Sequence, residues 1–284
     1  MDNIILPDKI RIGTRGSRLA LVQTQIFIDM LHEKYPEIQC EVVIIKTTGD
    51  RILDKPLLEF GGKAVFVNEF EEAIKNGRID YAVHSAKDMP MELLEGLDIV
   101  CVLPREDARD VLITRKGSHI EHMGSAVIGT GSLRRQFQVR ELYHNVECTS
   151  LRGIVTTRLE KLRAGEYDGI ILAAAGIKRL GLHQEQDLEY RYFSSDEIVP
   201  AAGQGIIAIE GMGGHKQHFL EAIDDRRARR ELLTERQILK QQGAGCHEPI
   251  GVFAEASDNR EYINISIMTV CDGKVIRQEE KWEK

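Results

Sequence analysis

Short apolar runs alternate with apolar stripes at helical spacing along most of the chain. No other feature restricts the fold as much, because strands followed by helices build open α/β sheets with helices on their faces. Residues 9–13 read as a short strand. Thr14-Arg15-Gly16-Ser17 then opens a helix with Leu19, Val22, Ile26 and Met30 as its apolar stripe and Ser17 as its N-cap. Residues 41–46 form a β-branched strand, and 48–62 a polar, glycine-bearing loop. A helix with Phe66, Phe70 and Ile74 follows, closed by Gly77. The next strand, Tyr81-Ala82-Val83, runs directly into His84-Ser85-Ala86-Lys87-Asp88-Met89-Pro90. This is the carboxyl end of a strand, where open α/β sheets place ligands.

The same grammar returns in the second half. Residues 126–129 are a strand, Thr130-Gly131-Ser132 a turn with a capping serine, and 133–142 a helix that begins with Arg134 and Arg135. Leu151-Arg152-Gly153 precedes a helix opened by Thr156-Thr157-Arg158, and 169–175 is a further buried strand. Residues 199–209 read as a crossover back to the first lobe. From residue 221 the texture changes to a charged helix over 224–240, a cysteine loop, and strands over 251–256, 262–270 and 274–278. The expected architecture is α/β: a discontinuous first lobe of 1–102 with 203–221 and a second lobe of 103–202, facing each other across a cleft. A small α+β domain, 222–284, completes it.

Composition narrows the function. A chain of 284 residues buries a sizeable core without covalent staples. Cys40, Cys101, Cys148, Cys246 and Cys271 are odd in number and lack CxxC spacing, which argues against a disulfide framework or a metal site and fits a reducing cytoplasm. No apolar run reaches membrane-spanning length, and no leader pattern opens the chain. A net charge of −7 with only 6% aromatic residues disfavours nucleic-acid binding. Any anion site must be a local concentration of positive charge.

Such concentrations exist. Arg15, Arg134, Arg135, Arg152 and Arg158 fall at or beside turns leading into helices, where the helix dipole favours negative side chains. Helix N-termini supply N–H groups and arginine a planar fork, so together they suit a small polyanion. Asp88 either caps a turn, pairs with Lys87, or works as a carboxylate within a basic site. Cys246, set among Gly243, Gly245 and Gly251 and followed by Pro249, is either a buried structural thiol or one presented for chemistry. A nucleophilic role would need a base near the thiol; His247 is adjacent in sequence, but no triad pattern is visible. A non-enzymatic two-lobed anion-binding protein would account for the arginines but leave Asp88 and Cys246 without a task.

The ordered set Thr14-Arg15-Gly16-Ser17-Arg18, Phe60-Gly61-Gly62-Lys63, Val83-His84-Ser85-Ala86-Lys87-Asp88, Gly129-Thr130-Gly131-Ser132-Leu133-Arg134-Arg135, Ala175-Gly176-Ile177-Lys178-Arg179, Pro200-Ala201-Ala202-Gly203-Gln204-Gly205 and the Cys246 loop resembles the hydroxymethylbilane synthase family, also called porphobilinogen deaminases. The resemblance spans residues 10–256. It implies two lobes like those of periplasmic binding proteins plus a small third domain. It also implies a transferase that joins four porphobilinogen units into hydroxymethylbilane for tetrapyrrole and heme biosynthesis, releasing ammonia. The chain would grow on a dipyrromethane cofactor held by a thioether to Cys246. Asp88 would be the catalytic carboxylate. Arg15, Ser17, Lys87, Ser132, Arg134, Arg135, Arg152 and Arg158 would bind carboxylates, Lys63 would belong to a mobile cover over 50–62, and Ser85 and Gln204 would stand at the cleft wall. A cytoplasmic monomer that passes its product to a downstream synthase is the expectation.

Three departures from the family pattern stand out. Ile154 and Thr156 replace residues that are commonly asparagine and glycine, Glu59 stands where lysine is frequent, and the chain stops soon after its last strand without the usual terminal helix.

Overall fold

The computed structural model describes residues 6–47, 67–214, 218–243, 248–259 and 261–283. In chain order the first stretch gives β1 (Lys9–Thr14), α1 (Arg18–Lys34), β2 (Gln39–Ile44), α2 (Asn68–Lys75), β3 (Tyr81–Ser85) and β4 (Leu97–Val102). The second gives β5 (Asp110–Arg115), β6 (Ala126–Gly129), α3 (Leu133–Leu142), β7 (Val146–Thr149), α4 (Val155–Arg163), β8 (Gly169–Ala173), α5 (Ala174–Arg179) and β9 (Leu188–Tyr192). Then follow β10 (Ile207–Met212), α6 (His218–Glu221), α7 (Arg226–Gln241), β11 (Gly251–Ala256), β12 (Tyr262–Cys271) and β13 (Lys274–Glu283). The chain divides into two units, Met1–Arg105 with Ile206–Leu233 and Glu106–Gly205 with Thr234–Lys284, the last division falling within α7.

The first unit holds a five-stranded sheet in the order β2-β1-β3-β10-β4. β1 runs parallel to β2 and β3, whereas β10 is antiparallel to both β3 and β4. Ile10, Ile12, Tyr81, Val83, Ile207 and Ile209 pack one face against Phe27 and Leu31 of α1. On the other face Ala82 meets Phe70, Ala73 and Ile74 of α2. Since β1 and β3 are parallel, their carboxyl ends lie at one end of the sheet, which brings the turns after Thr14 and after Ser85 together.

The second unit repeats that order as β7-β6-β8-β5-β9, with β6 parallel to β7 and β8 and β5 antiparallel to β8 and β9. Leu159, Leu162, Ala174 and Ile177 cover one face; Val139, Tyr143, Phe193 and Ile198 cover the other. Asp110 pairs with Ala173, so β5 begins at the sheet end where β8 finishes. A separate antiparallel sheet, β11-β12-β13, packs Val252, Ala254, Ile263, Ile265 and Ile267 against Ile238 of α7. Glu235, fully buried, ties this sheet to the crossover: its carboxylate accepts from Ala254 N at 2.8 Å and from Gly203 N at 2.6 Å.

Several sequence expectations shift. The fully buried line of α1 is Gln23, Thr24, Phe27, Ile28 and Leu31, while Leu19, Val22, Ile26 and Met30 are half-buried beside it and Ile26 and Met30 pack against the same core. Two polar residues on the buried line defeat an apolar count: Thr24 Oγ1 donates to Ala20 O at 3.0 Å, and Gln23 is committed to Ser85. The strand expected over 169–175 ends at Ala173, and α5 starts at once. α7 begins at Arg226 because Asp225 caps it, accepting from Ala228 N at 2.7 Å. β13 runs on to Glu283, carried by its full pairing with β12. β4 and β5 come from short apolar runs, which do not by themselves distinguish strand from buried helix, and β9 from the alternating Leu188-Glu189-Tyr190-Arg191-Tyr192.

Candidate active site

Both sheets end their first central strand in the same way. β1 finishes Gly13-Thr14 and β6 finishes at Gly129 before Thr130, and a serine then caps the following helix. A β-carbon at Gly13 would collide with Ile79 Cδ1, and one at Gly129 with the Tyr167 ring, so both glycines permit close approach of the neighbouring chain. Ser17 accepts from Ala20 N at 3.3 Å. Ser132 accepts from Arg135 N at 3.5 Å, while its own N–H donates to Thr130 Oγ1 at 3.2 Å. No acidic residue occupies the first turn of α1, α3 or α4, so the positive end of each helix stays uncancelled by its own side chains.

In the first unit the turns after β1 and β3 enclose a cavity of about 100 Å³. Arg15, Ser17, Gln23, His84, Ser85 and Asp88 supply its polar lining. This is room for a carboxyl-bearing substituent, or for about three waters at roughly 30 Å³ each. Asp88 ends a single 3₁₀ turn, Ala86–Asp88, and is exposed, while Lys87 is half-buried. Buried Ala86 and Met89 anchor that turn: Ala86 N donates to Ile206 O at 3.0 Å and Met89 N to Ala86 O at 3.2 Å. Ser85 is held by the Gln23 amide, which donates to its hydroxyl at 2.8 Å. Behind the cavity, His84 Nε2 lies 2.9 Å from Glu210 Oε2.

In the second unit Arg134 and Arg135 are buried, and both meet Asp110. Arg134 Nη1 is 2.7 Å from Asp110 Oδ2 and Arg135 Nη2 is 2.7 Å from Oδ1. Arg134 also donates to Val199 O, and Arg135 to Ile171 O. Burial alone would raise the Asp110 carboxyl, but the two guanidinium charges hold it far below the usual carboxylate range. Burial likewise lowers the Arg134 guanidinium, and Asp110 opposes that. Two cations thus share one buried anion beside a helix N-terminus. Gln204 is 1% exposed and donates to Ala108 O and to Asp110 Oδ1, which makes it part of this buried hub. Arg152 is half-buried ahead of α4, and Arg158 folds back so that its Nε donates to Gly153 O at 2.7 Å.

The structure therefore gathers Arg15, Ser17, Ser85 and Asp88 around one cavity, and joins Arg134, Arg135 and Gln204 through Asp110. Lys63, Glu59 and the cover over 50–62, like Cys246, lie outside the described residues. Gln23, Asp110 and Glu210 were not singled out from sequence. Each is a polar residue set in or beside an apolar run, and that is the signal that could have found them. Among the described residues no three His, Cys, Asp or Glu side chains are placed to hold a metal ion, and no helix is long and apolar enough to cross a membrane.

Twin serine-capped, arginine-bearing turns, the first beside the exposed Asp88 carboxylate, mark an α/β protein of two similar sheets with polar, basic strand ends. Comparison with known proteins makes the class particular. The family model described as "Porphobilinogen deaminase, dipyromethane cofactor binding domain" matches residues 10–219. The porphobilinogen deaminase of Lachnospira eligens is 46% identical over 254 residues, covering 88% of this chain and 85% of that protein. That of Clostridium kluyveri is 41% identical over 278 residues, covering 96% and 94%. Among solved structures, the Bordetella pertussis BvgS periplasmic VFT2 domain is 10% identical with a TM-score of 0.44, covering 81% of this chain and 87% of that one. The chain belongs to the porphobilinogen deaminase family.

Proposed function

We propose that this chain joins four porphobilinogen molecules head to tail into the linear tetrapyrrole hydroxymethylbilane, with loss of ammonia at each step. The observation that carries the reading is the exposed Asp88 carboxylate on a cavity shared with Arg15 and Ser17. The donor sets around Arg15 and around Arg134 and Arg135 fit a dipyrromethane, whose acetate and propionate groups are what forked guanidiniums and helix N-termini bind. Arg15, Ser17, Lys87, Ser132, Arg134, Arg135, Arg152 and Arg158 hold carboxylates in this reading, with Cys246 as the covalent anchor. When bound, the dipyrromethane supplies the pyrrole carbon from which the product grows.

The chain's own residues do the rest. Arg15 and the N-terminus of α1 orient porphobilinogen by its acid groups, which leaves the neighbouring Asp88 carboxylate to stabilise positive charge as ammonia departs. The Gln23 contact fixes Ser85 at the entrance of the turn that carries Asp88. A three-domain organisation, 1–102 with 203–221, 103–202 and 222–284, is supported by the three separate sheets. We place the protein in the cytoplasm as a monomer that passes its product to a downstream synthase.

Intact-protein mass spectrometry of the purified chain, beside a Cys246→Ser variant, tests this reading. A dipyrromethane-sized adduct on the wild type that is absent from the variant is expected, with stepwise pyrrole additions once porphobilinogen is supplied. A wild type that neither carries nor acquires an adduct would refute it.

A further inference from the structure

Glu210 is fully buried at the end of the run Ile207-Ala208-Ile209-Glu210 on β10. In the antiparallel register Ala208 lies opposite His84 and Glu210 opposite Ala82, so Glu210 and His84 are diagonal neighbours on one face of the sheet. One Glu210 oxygen meets His84 Nε2 at 2.9 Å; the other, Oε1, has no hydrogen-bond partner among the described residues. From α2, Phe70 sets its ring edgewise against the imidazole at 5.1 Å, and Glu71 adds a second buried carboxyl. Burial raises the Glu71 carboxyl, and Glu210 adds repulsion. Placing an imidazole and two carboxyls here is a poor way to gain stability, because apolar side chains of the same volume do as well or better. His84 is also among the residues that line the cavity shared by Arg15, Ser85 and Asp88.

We propose that Glu210 and His84 form a positioning pair for the Asp88 turn: Glu210 fixes the imidazole at the inner wall of the cavity, and the imidazole fixes the end of β3 from which Ser85 and Asp88 meet substrate. The pair acts through Asp88, so it rests on the reading of Asp88 as the acting carboxylate. Charged and titratable groups around it are Glu71 and Lys75 on α2, Glu210 on β10, Asp88 on the turn and Arg15 ahead of α1.

The test is a double-mutant cycle in the full-length enzyme, with kcat and KM measured across pH and adduct loading checked by mass. Glu210→Gln keeps the shape and one acceptor but removes the charge. It is expected to load normally, keep KM within about twofold, lose roughly tenfold in kcat and shift the pH profile. Combined with Asp88→Asn it is expected to be no slower than Asp88→Asn alone, because both changes act through one group. Should Glu210→Gln not fold, His84→Gln gives the same readouts, with a similar loss of kcat expected. A purely structural pair would lower the melting temperature and leave kcat per loaded chain at the wild-type value; that result, or losses that multiply in the double variant, overturns the proposal. Full turnover by Asp88→Asn on its own sinks the Asp88 reading and this proposal together, whereas a slow Asp88→Asn beside a wild-type Glu210→Gln sinks the pair alone.

Discussion

Asp110→Asn replaces one buried carboxylate by an amide of the same shape and leaves Arg134 and Arg135 facing each other without an anion. Removing one partner of a buried ion pair costs about 3–5 kcal/mol, because the remaining charge stays desolvated. Two guanidiniums depend on this one carboxylate, at 2.7 Å each, so the upper half of that range is expected. At roughly 2–4 °C per kcal/mol for a unit of this size, the melting temperature should fall by about 8–20 °C. The acid limb gives an independent signature. The folded Asp110 carboxyl titrates below its unfolded value of about 3.9. Its contribution is therefore complete above that value and is lost as pH falls through the lower, folded one. Wild-type stability should decline on acidification below about pH 5, and the decline should be shallower in the variant. Urea unfolding followed by circular dichroism, repeated from pH 7 down to about pH 3, measures both effects. A variant within about 1 kcal/mol of wild type, with an unchanged acid limb, would refute the claim that Asp110 is the counter-charge of this hub.

Asp88→Asn should retain the fold and the adduct yet lose about 10²–10³ in kcat, as expected when one preorganised electrostatic contact to developing charge is removed; single-turnover ammonia release checks it, and near-normal turnover would refute the role. Ile154 occupies the N-cap of α4 with extended backbone and no side-chain cap, and is 55% exposed. Ile154→Asn should therefore stabilise the protein by about 0.5–1 kcal/mol, seen as a small rise in the urea midpoint; an unchanged or lower midpoint would show that Ile154 packs usefully.

What could be read from sequence was local. The turns Thr14-Arg15-Gly16-Ser17 and Thr130-Gly131-Ser132 announce themselves through caps and glycines within a few residues, and both caps form as expected. The position of Asp88 beyond a buried strand was legible for the same reason. The partners of these residues were not, because they arrive from far along the chain. Asp110 is 25 residues from Arg135 and 94 from Gln204, and His84 is 126 from Glu210. The deepest line of α1 was not legible, because it includes Gln23 and Thr24, polar residues whose hydrogen bonds are satisfied internally, a condition that an apolar count cannot detect. α5 was hidden because Ala174 continues the small apolar run of β8 without a polar cap at the boundary.

The Glu235 tie has a consequence for how this chain can change. Two donors that reach its carboxylate, Gly203 N and Ala254 N, are main-chain groups. A main-chain donor survives every side-chain replacement except proline. The link that runs through Glu235 is thus insensitive to the side chains at 203 and 254, and Val252 N adds a second main-chain tie by donating to Pro200 O at 3.0 Å. Mutational drift can therefore rewrite the faces of β11 while the main-chain attachment persists, and a change at 235 removes only the part that runs through its carboxylate.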